Sequence, residues 1–141
     1  MAVEYSYPLV QTVAVDENVL FLNGNRCCKK GLIMHNDNSG IFRIKGVNGC
    51  RTIYKIHFNA NIAISDGGTV EPISIALIQN GEVLRNAVAT VTPVAIGDFW
   101  NVSFETFIEL PYGCCDTISV RNISDTPIDV INSNIVIDRV A

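Results

Sequence analysis

The sequence predicts an all-β protein, an antiparallel sandwich or barrel, and three observations carry that prediction. First, between Tyr54 and Ile64 the residues Tyr54, Ile56, Phe58, Ala60, Ile62 and Ile64 are apolar, while Lys55, His57, Asn59 and Asn61 between them are polar. A hydrophobic period of two marks a long strand with one buried and one wet face. Second, the pattern recurs from Trp100: Val102, Phe104, Ile108 and Leu110 alternate with Asn101, Ser103, Glu105 and Glu109, and Phe107 is an apolar intruder. Third, Asn80-Gly81 stands between two apolar runs. Both central residues of a type I′ turn need positive φ, so this pair is a strong hairpin signal. Long one-sided strands far apart in sequence imply antiparallel sheets that share a core.

The elements follow in order. Pro8 to Val15 and Val19 to Leu22 read as two short strands broken by Asp16-Glu17-Asn18, and Gly24 to Lys30 reads as a loop. His35-Asn36-Asp37-Asn38-Ser39-Gly40 is a turn cluster before a strand at Ile41 to Lys45. Gly46 to Gly49 turns into the long strand, which Asp66-Gly67-Gly68 ends. Ile73 to Gln79 and Val83 onward flank the hairpin turn, and Ala87 to Val91 is a further strand stopped by Pro93. After the Trp100 strand, Pro111-Tyr112-Gly113 leads into Thr117 to Asn122, and Ser124 to Pro127 leads into Ile128 to Ile131. Asn132-Ser133-Asn134 is then a turn before the last strand, Ile135 to Val140. About ten strands with short turns and no helical segment is a jelly-roll count. Tyr54, Ile56, Phe58, Ile62, Trp100, Val102, Phe104, Ile118 and Val120 are its expected core.

Length and composition bound the function. The 141 residues make one domain, long enough to bury a full core without disulfides. Charged residues are 17 % of the chain, below the roughly 25 % usual for soluble domains. Few charges and many Ile and Val suit a protomer that buries a face against copies of itself. Net charge is −4, and the one compact basic cluster is Arg26, Lys29 and Lys30. Without a basic stripe interleaved with aromatics, no nucleic-acid partner is expected. The start, M-A-V-E-Y-S-Y-P, carries an acid where a signal peptide would carry basic residues. The run Asn86 to Gly97 is too short to span a bilayer, so no membrane partner is expected either. Synthesis and folding in a cytoplasm is the expectation.

No catalytic or cofactor motif emerges. Five cysteines stand as Cys27-Cys28, Cys50 and Cys114-Cys115. Two vicinal pairs could supply four thiolates, but structural zinc uses C-x₂₋₄-C spacing, and adjacent residues of an extended chain point to opposite faces. Cross-linking is the second alternative, opposed by a reducing cytoplasm. Small buried thiols at strand ends is the third. His35 with Asp37 as orienter, or His57, could be a general base, yet no G-x-S-x-G elbow or H-E-x-x-H accompanies them. Asn36-Asp37-Asn38 lacks the rest of a calcium-loop frame, and turn chemistry explains it. The sequons at Asn101 and Asn122 fall in strands. No enzyme, metal or cofactor is expected.

The last strand is apolar on both sides, with Ile135 and Ile137 pointing one way and Val136 and Val140 the other. A strand buried on both faces sits centrally or under a partner. The order of elements with such a strand resembles the TNF/complement-type jelly roll, which implies a TNF-like β-sandwich and a tight homotrimer. The chain is also similar to small proteins of phages and prophages of gut Firmicutes. The likeness lies in V-x-V-x-x-N-V-L-F (Val13 to Phe21), H-x-x-x-S-G-I-F (His35 to Phe42), G-G-T-V-x-P-I-S-I-A-L (Gly67 to Leu77) and P-x-G-C-C-x-T-x-S-V-R-N (Pro111 to Asn122). It implies a virion structural protein: a capsid decoration or head-fibre protein that docks on a major capsid protein at the capsid surface. Ile135, Ile137, Val136 and Val140 are then the expected trimer interface. Met1 to Pro8 is the expected docking arm, with Tyr5, Tyr7 and Pro8 as its contacts. The alternative is a receptor- or carbohydrate-binding fibre tip, for which Tyr5, Tyr7, Phe99 and Tyr112 are the aromatics available to stack on sugar.

Overall fold

The computed structural model describes residues 2–22, 32–46, 51–111 and 115–141. Within them ten strands run in this order: β1 (Ala2–Tyr7), β2 (Gln11–Val13), β3 (Ile33–His35), β4 (Phe42–Lys45), β5 (Thr52–Ile64), β6 (Ile73–Gln79), β7 (Glu82–Val91), β8 (Trp100–Leu110), β9 (Cys115–Asn122) and β10 (Ile128–Arg139). A first sheet has the order β1-β10-β5-β8, with β2 also on β10, and a second has the order β3-β4-β9-β6-β7. All pairings are antiparallel. The predicted all-β antiparallel jelly-roll sandwich of about ten strands is the observed fold.

The period-two reading sets the packing. Tyr54, Ile56, Phe58 and Ile62 are fully buried in β5, and Lys55, His57 and Asn59 between them stay partly exposed. On β8, Val102 and Phe104 point inward, as do Ile118 and Val120 on β9. An aromatic chain runs through the core: Tyr5 meets Phe42 edge-on at 4.9 Å, Phe42 meets Phe21 at 5.4 Å, Phe21 meets Phe58 edge-on at 6.2 Å, and Phe58 stacks on Phe104 at 5.2 Å. Such offset and edge contacts suit the ring quadrupoles. The Asn80-Gly81 hairpin forms as predicted, with φ of 51° and 85° at its two central residues.

Several boundaries differ, each for a physical reason. Trp100, expected in the core, is 47 % exposed. It is the first residue of β8, where the sandwich ends, and its indole N–H donates to Asp98 at 2.9 Å. Asn132-Ser133-Asn134 is no turn. Ile131 pairs with Asn61 and Asn134 with Asn59, so Asn132 and Ser133 together face Ala60 in a β-bulge inside one twelve-residue strand. Asn132 takes φ of 55°, which an asparagine tolerates. Ala87 to Val91 is the second half of β7, and the short β3 has no counterpart in the sequence reading. The expected arm at the N-terminus is strand β1, paired with β10 from Ala2↔Asp138 to Tyr7↔Ser133. Pro8, which cannot donate to a ladder, takes the chain off β10, and β2 rejoins it at Gln11↔Val130.

Candidate self-association surface

The outer face of the first sheet carries a candidate surface for a partner. Cross-strand register builds it in rows: Glu4, Val136, His57 and Glu105 form one, and Asp138, Lys55 and Phe107 the next. Phe107, at a position whose parity makes it outward, is 63 % exposed. Half-buried Val136 and Ile53 and exposed Val140 lie on the same side of the sheet, and the Val140 N–H donates to the Ile53 carbonyl at 2.9 Å. Charges at this end are paired across strands: Lys55 with Glu105 at 3.3 Å and Arg51 with Glu109 at 2.8 Å. Exposed pairs like these add little stability, about 0–1 kcal/mol each, and on β5 Lys55 and His57 stand between Phe107 and Val136. The other end of the face is an amide cluster, in which the Asn101 Nδ2 donates to the Oδ1 of Asn59 at 2.9 Å and of Asn61 at 3.1 Å.

The four expected interface residues divide. Ile135 and Ile137 are fully buried in the chain's own sandwich, paired with Phe58 and Ile56 on one side and Tyr5 and Val3 on the other. They are core residues and offer nothing to a second chain. Val136 lies on the outer face and Val140 is 46 % exposed. The sequence showed that β10 is apolar on both sides but could not say which side the chain covers itself. Phe107, the apolar intruder of the β8 pattern, is exposed on the same face, and its apolar side chain at a polar parity is the signal the sequence offers.

The expected docking residues divide as well. Tyr5 is 1 % exposed, with its ring against His35 at 4.8 Å and against Phe42, so its place is the core and not an arm. Tyr7 is half-buried and Pro8 exposed. Beyond them Leu9 is 68 % exposed and Val10 51 %, both outside any strand, although the sequence predicts one from Pro8 to Val15. Of the aromatics considered for sugar stacking, Phe99 is exposed and Tyr112 lies outside the described residues.

The two histidines weighed for chemistry lie on different sheets, His35 on β3 and His57 on β5. His35 is buried, its Nε2 2.7 Å from the Ser39 carbonyl and its ring stacked on Phe42 at 4.4 Å. His57 lies half-buried on the outer face of the first sheet. In the Asn36–Ser39 turn the Ser39 N–H donates to the Asn36 carbonyl at 3.1 Å, and Asn38 takes φ of 60°. Asn122 is fully buried and spends its carboxamide on the fold: Nδ2 donates to the carbonyls of Val13 and Thr126, and Oδ1 accepts from the Ser124 N–H. Cys27, Cys28, Cys50 and Cys114 lie outside the described residues, and Cys115 is exposed with a free thiol. Among the described residues no group of three His, Cys, Asp or Glu side chains could hold a metal ion. Likewise no helix among them is long and apolar enough to cross a membrane.

No protein-family model matches this chain, and no curated protein matches it in sequence. Solved structures do match in fold. The Eiger TNF of S. frugiperda superposes with a TM-score of 0.69 at 13 % identity, over 99 % of this chain and 93 % of that one. Murine APRIL gives a TM-score of 0.66 at 11 % identity, over 98 % and 99 % of the two chains. The globular domain of the zebrafish complement 1qA protein gives 0.60 at 14 % identity, over 94 % of each. Identities this low speak for architecture alone, and the architecture is the TNF- and C1q-type jelly roll.

Proposed function

We propose that this chain is a non-enzymatic structural protein that assembles as a homotrimer and coats a phage capsid, bound to the major capsid protein, after synthesis in the host cytoplasm. The observation that supports assembly is the Phe107–Val136–Val140 surface on the outer face of the first sheet. A 63 % exposed phenylalanine whose charged neighbours are already paired can be covered by a partner without stranding an unpaired charge. The capsid role rests on the sequence resemblance. A threefold protomer on a threefold lattice point repeats one weak patch three times, and avidity holds it without a large single contact. The exposed bend Pro8-Leu9-Val10, with half-buried Tyr7 before it, is the docking patch of this reading. Sedimentation tests both parts. Wild type runs as a trimer and co-sediments with capsids; Phe107→Asp runs as a folded monomer; Leu9→Ser with Val10→Ser stays trimeric and no longer co-sediments. A stable folded wild-type monomer at micromolar concentration removes the assembly reading.

A second reading, the trimeric receptor- or carbohydrate-binding tip of a fibre, has its own support. Phe99 and Trp100 are adjacent, 42 % and 47 % exposed, beside Val94 and Ile96 in the β7–β8 loop. Aromatic rings that stay in water at a loop are suited to stack on a sugar. Glycan-array binding lost in Trp100→Ala, with no capsid co-sedimentation, decides for the tip.

A further inference from the structure

On the second sheet, away from the self-association surface, strands β3 and β4 and the turn between them frame a cleft of about 450 Å³. We propose that this cleft binds a small organic monocarboxylate, with the Arg43 guanidinium as its anchor. Met34 and Arg43 are directly opposite in the β3–β4 register, and Ile41 precedes Arg43 by two residues. Arg43 is exposed, and no described carboxylate lies within ion-pair distance of it. On either side stand two apolar residues left in water, Met34 at 37 % and Ile41 at 51 % exposure. The rim adds the Asn36 carboxamide and the Ser39 hydroxyl, whose oxygen already accepts from the Ile41 N–H and whose proton remains to donate.

The donor set defines the ligand class. One unpaired guanidinium presents a planar fork that matches a carboxylate in two parallel hydrogen bonds. Among the described lining residues Arg43 is the one Lys or Arg, and one such charge suits a monoanion better than a phosphate and repels a metal cation. Apolar walls favour an acid with a hydrocarbon or sugar-ring body over an inorganic ion. The rim is held in place beforehand. The Ser39 carbonyl accepts from the Phe21 N–H at 3.0 Å and lies 2.7 Å from the buried His35 Nε2, whose ring is stacked on Phe42. A site that needs no ordering on binding loses less affinity to entropy. Because it lies on the second sheet, it stays open when the outer face of the first is covered.

Amide-resolved NMR titrations of the wild-type protein test this with two acids from different sources, N-acetylneuraminic acid for glycan chains and 3-methylbutanoate for free aliphatic acids. Saturable shifts confined to Met34–Arg43 with at least one of them are expected, and the acid that binds names the source. The matching neutral derivatives, the methyl ester and the amide, should bind about tenfold more weakly or worse, because a hydrogen bond to a charged group is lost. Arg43→Gln should lose about the same factor, and Arg43→Lys should keep part of it. Absence of saturable shifts with both acids overturns the proposal, as do neutral derivatives that bind equally well or an Arg43→Gln protein that binds like wild type. If Arg43→Gln melts early, the comparison of acid with neutral derivative on wild type decides alone.

Discussion

Phe58 lies between two aromatic neighbours, edge-on to Phe21 and stacked on Phe104 with an interplanar angle of 26°. Phe58→Ala deletes both contacts and leaves a cavity, so it should cost about 3–5 kcal/mol in denaturant unfolding; a loss below about 1 kcal/mol would mean that the aromatic chain is not the core. Tyr54 is a different case. Its hydroxyl donates to the Lys45 carbonyl at 2.7 Å, tying β5 in one sheet to β4 in the other. Burial raises its pKa above the ordinary 10.0, and the nearby Arg139 charge pulls the other way. A raised phenol pKa means the folded state prefers the neutral form. Its contribution is therefore complete below pH 10 and is lost as pH climbs through the folded-state pKa. Wild type should lose stability in that alkaline window, and Tyr54→Phe should lose less there while starting about 1 kcal/mol lower at neutral pH. Equal alkaline slopes in the two proteins would remove Tyr54 as the cause. Alternation made both side chains legible as core, whereas the Lys45 partner came only from the packing of the two sheets.

At the scale of the element, β10 organises the first sheet. It pairs β5 along one edge and both β1 and β2 along the other, and its bulge marks the level at which β1 gives way to β2. The Asn-Ser-Asn run looks like a turn in one dimension, because the same residue types serve turns and bulges. What decides is whether the flanking strands pair with each other or with a common third strand, and here both continue along β5. β1 is not legible in the sequence because its alternation is short, with Val3 and Tyr5 its buried residues among those described. Deleting Met1 to Tyr7 removes six paired residues of β1 and exposes the edge of β10. Loss of the two buried side chains alone should cost roughly 3–6 kcal/mol. A thermal melt of the truncated chain should fall well below wild type, and an unchanged melt would restore the reading of this segment as a loose arm.

For the whole molecule, the stabilising weight sits in one continuous core between the two sheets, which extends from Val3 to Ile137. A core of this size in a chain of 141 residues can hold the fold without staples. Melts with reductant or with chelator should therefore match melts without them. A large fall in either condition would promote Cys27, Cys28, Cys114 and Cys115 to a structural cluster. Assembly belongs to this scale too, since it depends on what the closed sandwich leaves outside. Phe107 is outside by strand parity; Val136 and Val140 are outside because β10 buries Ile135 and Ile137 on its other face.

Alternation and turn chemistry alone made the class, the two long strands with their inward faces, and the hairpin at Asn80-Gly81 legible in the sequence. These are local properties: a period of two reports which side of a strand meets water, and a pair of residues that accept positive φ reports a tight reversal. Only the tertiary structure decided which apolar face each strand covers within its own chain, and so moved Ile135, Ile137 and Tyr5 into the core and Trp100 to the rim. It alone brought Met34, Asn36 and Arg43 around one cleft. Burial and proximity depend on partners distant in sequence, and a hydrophobic pattern carries no information about which distant segment supplies the other half of the contact.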